Sequence, residues 1–272
     1  MSSVHRPSSK HRLDHTVFAR GLTDSRSSAE SWIRLGKVWV DGKIVTKPGY
    51  FVDENATISL KHKERYVSRA GLKLASVAGK FGVNFRGKIV LDVGSSTGGF
   101  TDYALQHGAA KVIAVDVGTD QMHPSLRHDE RIELHEKTDI RDVVLDDRRW
   151  TIDDRQPQKD TLPNVQRLSS IPDIVVIDVS FISLREILPH IASSLLLPSS
   201  ICLAMVKPQF EAGRDQVSKG VIKNDRIRRE ILHDFEVWAR KYFVIIDKAD
   251  SEVAGSKGNR ERFYLMHTSA DQ

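Results

Sequence analysis

The chain has 272 residues, 40% of them hydrophobic, and a net charge of +5. That length allows one large domain, or a medium domain beside a small one, and the apolar content suits a folded core. No apolar run approaches the ~20 residues of a membrane span, and no apolar segment near the start reads as a secretory signal. The lone cysteine, Cys202, excludes an intrachain disulfide, so a reducing, cytoplasmic location is expected. The charge is unevenly spread: residues 1–66 hold 12 Lys+Arg against 7 Asp+Glu, while the remainder holds 29 of each. The basic excess therefore lies in the first quarter, as expected of a small module for a polyanion.

In chain order, Arg12–Leu22 predicts a short helix with Leu13, Val17 and Phe18 on one side. Ser27-Ser28-Ala29-Glu30 fits a capping box that starts a second helix, with Trp32, Ile33 and Leu35 on its apolar face and Gly36 as its stop. In KVWVDGKIV, Val38 and Val40 alternate with Lys37 and Trp39, and Asp41-Gly42 signals a two-residue hairpin turn. The stretch RLDHTVFARGLTDSRSSAESWIRLGKVWVDGKIVTKPG resembles an S4 RNA-binding domain, here given the bounds 10–62. The resemblance implies that Arg12, Arg20, Arg26, Arg34, Lys37 and Lys43 grip RNA backbone and shape rather than base sequence. Residues 63–68 are read as a linker.

From Gly87 the pattern becomes an alternation of strands and helices. KIVLDVG, KVIAVDVG, RIELHEK, DIVVIDVS, ICLAMVKP, FVIIDKAD and RFYLMH read as seven strands. FTDYALQHG, Leu184–Leu196 and Asp225–Lys241 read as helices. Near-continuous Val/Ile strands between helices imply an α/β, Rossmann-like domain, 69–268, with a mostly parallel seven-stranded sheet covered on both faces. Residues 146–171 are polar with two prolines and no sustained period, and read as a flexible surface insertion.

The turn LDVGSSTGGFT follows the first of these strands. A glycine-rich turn at the carboxyl end of a parallel strand is where such sheets bind cofactors. Its spacing is not the G-x-G-x-x-G of a dinucleotide site. Acidic residues at strand ends suit S-adenosylmethionine instead, which has an ammonium and a ribose diol but no phosphates. Asp92 is placed for the ammonium side, Asp116 for the ribose hydroxyls and Asp139 for the adenine edge.

SRAGLKL (68–74), LDVGSSTGGF, IDVSFISL (177–184), MVKPQFEAGR (205–214) and GSKGNRE (255–261) together resemble the TlyA family of S4-domain 2′-O-ribose methyltransferases, whose catalytic domain is FtsJ-like. The resemblance implies a Lys73, Asp178, Lys207, Glu261 tetrad. A ribose 2′-hydroxyl must lose its proton as it attacks the sulfonium methyl. Lys207 would take or stabilise that proton, Lys73 would supply a second cation, and Asp178 and Glu261 would hold the amines. An ordinary lysine titrates near ~10.4, so a basic role needs burial or a nearby cation. The implied cofactor set is Asp92, Gly94, Ser95, Ser96, Thr97, Gly98, Gly99, Phe100, Asp116, Val117, Asp139 and Asp178, and Arg69 joins the RNA-binding set. The implied substrate is ribosomal RNA or a ribosomal subunit, methylated at a cytidine. No metal ligand set is expected: the eleven histidines form no ligand pair, and HEK at 135–137 is not HExxH. A haemolytic role would need a membrane-active segment, and none is found. The alternative kept is a catalytically weak or inactive RNA-binding protein of the same fold.

Overall fold

A computed structural model describes residues 10–23, 25–34, 36–60, 66–145, 166–213, 216–217, 220–255 and 258–269. The chain divides into two units between Arg65 and Tyr66.

In the first unit, β1 (Lys10–Arg12) leads directly into α1 (Leu13–Ala19), and α2 (Arg26–Arg34) follows. β2 (Val38–Val40) and β3 (Lys43–Ile44) form the expected hairpin, with β4 (Phe51–Asp53) and β5 (Ile58–Leu60) after it. Asp41 (φ 48°) and Gly42 (φ 78°) both lie in the left-handed region, which a two-residue turn of this kind requires. β3, β2 and β5 form one antiparallel sheet, while β1 pairs with β4. Leu13, Val17, Ala29, Ile33, Val38 and Val52 close the core.

Three local expectations differ. The first helix is shorter than Arg12–Leu22 because Arg12 belongs to β1 and Gly21 turns at φ 66°. Phe18 is exposed, not packed beside Val17. The second helix begins at Arg26, so Ser27 lies inside it; the cap comes from Ser25, whose Oγ accepts from the Ser28 amide at 3.1 Å. Leu35 lies outside the described residues.

The second unit opens with α3 (Arg69–Ala78), a helix the sequence reading did not assign. Tyr66, placed by sequence in the linker, is 2% exposed and belongs to this unit's core; the Val67 amide donates to Asp102 Oδ2 at 2.7 Å. Then come β6 (Ile89–Val93), α4 (Gly99–Gln106), β7 (Lys111–Val115), β8 (Ile132–His135), β9 (Val143–Leu145) and β10 (Gln166–Leu168). β11 (Ile174–Ile177), α5 (Leu188–Ser194), β12 (Ile201–Val206), α6 (Pro208–Glu211), α7 (Asp225–Ala239), β13 (Phe243–Asp250) and β14 (Arg262–Thr268) complete it.

All seven expected strands join one sheet in the order β13-β14-β12-β11-β6-β7-β8. The five from β12 to β8 run parallel, and β14 and β13 are antiparallel to their neighbours. Successive residues of β6 serve opposite faces: Leu91 and Val93 pack in one apolar cluster and Val90 in the other. The segment read as a surface insertion is partly structured. Its residues 166–168 pair in parallel with β9, and Leu168 is 1% exposed within the core. Residues 146–165 lie outside the described residues. The chain passes from β6 to β7 on one side and reaches β11 on the other, so the loops after β6 and β11 part at a switch point, where a crevice forms.

Candidate active site

The turn after β6 is fastened before it can hold anything. The Gly94 and Ser95 amides both donate to Val115 O at the end of β7, at 2.9 and 3.2 Å. Gly94 has φ 79°, and a Cβ there would meet Asp178 O at 3.0 Å, so a side chain would push the turn away from the loop after β11. Gly98 and Gly99 do different work. Neither lines a cavity described below; a Cβ on Gly98 would strike Met122 and Leu126, and one on Gly99 would strike Ser68 and Ala70. Their small size lets the start of α4 pack against α3 and the loop after β7.

Two cavities border this turn, and a third adjoins them through Ser180. The first, about 420 Å³, runs past Gly94, Ser96, Asp116, Val117, Gln121 and Asp139 to Asp178 and Phe181. Asp116 accepts from the Ser96 amide at 2.8 Å and the Gly118 amide at 2.7 Å, which fixes its carboxylate at the cavity wall. Ser96 Oγ donates to Gln121 Oε1 at 2.9 Å, and Val117 is largely exposed. Asp139 caps a short turn, accepting from the Arg141 amide at 3.0 Å, and pairs with the Arg141 guanidinium at 2.7 Å. That guanidinium holds its carboxyl below the ordinary value.

A second, smaller cavity of about 140 Å³ is lined by Asp92, Ser95, Thr97, Phe100, Asp178 and Lys207, among others. Asp92 is 1% exposed and accepts from Thr101 Oγ1 at 2.6 Å, while its Oδ1 has no hydrogen-bond partner. Burial pushes this carboxyl up to about 7, with the Asp178 and Asp116 charges adding to the rise. Ser95 Oγ is likewise buried without a partner. Phe100 is packed near Phe263, their ring centroids 6.0 Å apart, and meets this cavity from the core side.

The third cavity, about 450 Å³, contains both expected lysines. Lys73 comes from the buried side of α3 and pairs with Glu261 Oε2 at 2.5 Å. Lys207 follows β12 and pairs with Asp178 Oδ1 at 2.6 Å. Lys73, Lys207 and Glu261 are each at most 9% exposed. Burial pushes the Asp178 carboxyl up, against the pull of Lys207 and Lys73. The tetrad positions thus meet as two lysine–carboxylate pairs around one space. Glu261 is held in turn by its backbone: Arg228 of α7 donates to Arg260 O at 3.0 Å, and Ser251 donates its amide to Glu261 O at 3.0 Å.

Several wall residues were not singled out from sequence. Ser180 Oγ accepts from Lys207 Nζ at 2.6 Å. Phe181 is 92% exposed and lies 5.4 Å, centroid to centroid, from Phe210. Gln209 has a buried Oε1 without a partner. Glu211 accepts from Ser183 Oγ at 2.6 Å and the Leu184 amide at 2.7 Å, tying the loop after β11 to α6. Their signal lay in the motifs IDVSFISL and MVKPQFEAGR, where only Asp178 and Lys207 carried an expectation.

The proposed RNA-contacting residues of the first unit are less free than a bare count suggests. Arg12 and Arg26 both pair with the fully buried Asp14, at 2.9 and 3.0 Å. The Arg12 hydrogen bond holds that carboxyl far below its ordinary value, against its burial. Arg20 donates to Ala56 O and Glu54 O, both at 2.7 Å. Lys37 sits 5.1 Å from the centre of the Trp32 ring, and Arg34 and Lys43 are exposed. Arg69 stands in the second unit, at the wall of the lysine-lined cavity, and donates to Ala254 O. No helix among the described residues is long and apolar enough to cross a membrane.

Comparison with known proteins places both units. The FtsJ-like methyltransferase family matches residues 66–268, and the S4 domain family matches residues 11–58. Hemolysin A of Brachyspira hyodysenteriae is 38% identical over 94% of this chain and 98% of its own. The 16S/23S rRNA (cytidine-2′-O)-methyltransferase TlyA of Mycobacterium tuberculosis is 32% identical over 96% of this chain and 91% of its own. A solved hemolysin-named structure from Streptococcus thermophilus superposes with a TM-score of 0.67 at 35% identity, covering 96% of this chain and 89% of that one. With its two lysine–carboxylate pairs beside a glycine turn at the sheet's switch point, and an S4 domain before them, the chain belongs to the FtsJ-like methyltransferase family.

Proposed function

We propose that the protein methylates the 2′-oxygen of a cytidine ribose in ribosomal RNA, using S-adenosylmethionine, with the S4 domain gripping the RNA. The observation that carries this reading is the lysine-lined cavity, where Lys207 and Lys73, each paired to a carboxylate, stand at most 9% exposed. The relatives named as rRNA (cytidine-2′-O)-methyltransferases supply the substrate class.

The residues fit the cofactor. The buried, unpartnered Oδ1 of Asp92 suits a ligand ammonium, and Asp116 and Asp139 on the larger cavity suit a ribose and an adenine edge. When bound, S-adenosylmethionine supplies an electrophilic methyl on a sulfonium. Lys207 faces the ribose hydroxyl and takes up or electrostatically stabilises the proton released as its oxygen attacks. Asp178 holds the Lys207 amine in place, and the Lys73–Glu261 pair adds a second fixed cation to the same wall. Catalysis of an in-line transfer then rests on positioning and preorganised charge. Phe181, exposed at the mouth of both larger cavities, offers an aromatic face for the base of the target nucleotide.

The test is transfer of a labelled methyl from S-adenosylmethionine to purified small and large ribosomal subunits. Label recovered as a 2′-O-methylnucleoside, with a loss of about 10²–10⁴-fold in Lys207→Ala, is the expected result. Cofactor binding and subunit binding without any label would favour the inactive RNA-binding alternative.

A further inference from the structure

One residue touches every part of this site. Ser180 lines all three cavities, and its Oγ accepts a hydrogen bond from Lys207 Nζ at 2.6 Å. A lysine amine has three directions beyond its Cε. Asp178 Oδ1 and Ser180 Oγ, both at 2.6 Å, occupy two of them. With Asp178 alone, the amine would turn freely about one contact; two acceptors fix it and leave a single direction for the substrate oxygen.

The backbone is built to hold Ser180 there. The next residue, Phe181, has φ 66°, a left-handed conformation that strains a bulky residue. Burial of its side chain does not offset that strain, since the ring is 92% exposed. The conformation is over-determined from both ends instead. Asp178 donates its amide to Val93 O at 3.0 Å, and Ser183 and Leu184 are fastened to Glu211, four residues after Lys207.

We infer that Ser180 is a positioning residue of the methyl transfer: its hydroxyl fixes the Lys207 amine so that its remaining direction meets the ribose 2′-oxygen. This rests on the reaction proposed above. Because Ser180 is exposed, an added methyl has room, and Thr at this position keeps the hydroxyl.

The experiment compares wild type, Ser180→Ala and Ser180→Thr in steady-state methylation of ribosomal subunits, with cofactor affinity by calorimetry and thermal midpoints alongside. In Ser180→Ala, kcat is expected to fall about 5- to 30-fold, the range of a lost hydrogen bond of about 1–2 kcal/mol. KM for the subunit and cofactor Kd should stay within twofold, with the thermal midpoint unchanged. Ser180→Thr should recover kcat to within threefold. An alanine variant as fast as wild type overturns the inference, as does a defect confined to KM or cofactor Kd, or a threonine variant no better than alanine. A wild-type protein that forms no 2′-O-methylnucleoside fails differently: it removes the proposed reaction itself.

Discussion

Replacing Asp92 by Asn should stabilise the protein while weakening its hold on the cofactor. The carboxyl is 1% exposed, has one hydroxyl donor in Thr101, and is held at about 7 against an ordinary 3.8. Three pKa units at 1.36 kcal/mol each put the cost of ionising it in the empty fold at about 4 kcal/mol. The sign follows from the direction of the rise. A raised carboxyl contributes stability that is present in full below 3.8 and is lost as pH climbs toward about 7. Asn does not titrate and still offers Thr101 an acceptor. The variant's advantage should therefore be absent near pH 4, grow steadily and level off above pH 7. There it should reach about 8–16 °C in the thermal midpoint, at 2–4 °C per kcal/mol for a unit of this size. The assay is the melting of the full chain across that pH range, following the transition that S-adenosylmethionine shifts in wild type. Cofactor affinity should fall at least tenfold. A variant that melts at or below wild type at pH 8 would refute the reasoning.

Asp14→Asn should weaken RNA binding severalfold, because two guanidiniums lose their shared buried anchor. The slope of log affinity against log salt should become shallower by about 1–2 in a filter-binding titration, with methyl transfer at saturating RNA unchanged. Glu211→Ala should unfasten the loop after β11 from α6, lowering kcat/KM about tenfold and the thermal midpoint by about 2–4 °C in parallel assays. An unchanged kcat/KM would show that the loop holds its shape without that latch.

What was legible in the sequence was what local pattern encodes. The Val/Ile strands and the Asp41-Gly42 turn are set by neighbours one or two residues away, and all of them formed. α3 went unassigned although Leu74, Val77 and Lys73 share its buried side, because a lysine on an apolar face breaks the period that marks a helix. The start of α2 moved because Ser25 and Ser27 offer the same cap chemistry, and only the packed backbone chooses between them. Leu168 was lost in a polar stretch, since a three-residue strand carries too little pattern to read. Ser180 and Glu211 were hidden for a longer-range reason. Ser180 meets Lys207 across 27 residues, and Glu211 meets Leu184 across 27, contacts that exist only because β11 and β12 are neighbours in the sheet.

That adjacency also explains why Asp92 has no cationic partner among the described residues, which suits the ammonium contact proposed for it. Val93, Ile177 and Ala204 lie abreast on β6, β11 and β12, so the three strands that carry or lead into Asp92, Asp178 and Lys207 run side by side, about 5 Å from one to the next. Two carboxylates and one lysine cannot all be paired. Lys207 lies one strand from Asp178 and two from Asp92, and it pairs with Asp178 at 2.6 Å. Asp116, one strand to the other side, is met by two backbone amides. Asp92 is flanked by both acids and makes no ion pair among the described residues, so their charges raise it further. A positive group entering the small cavity would relieve that repulsion and satisfy the unpartnered Oδ1 in one contact. The sheet order thus pairs Lys207 with Asp178 and leaves Asp92 unpaired beside the cavity proposed for the cofactor's ammonium.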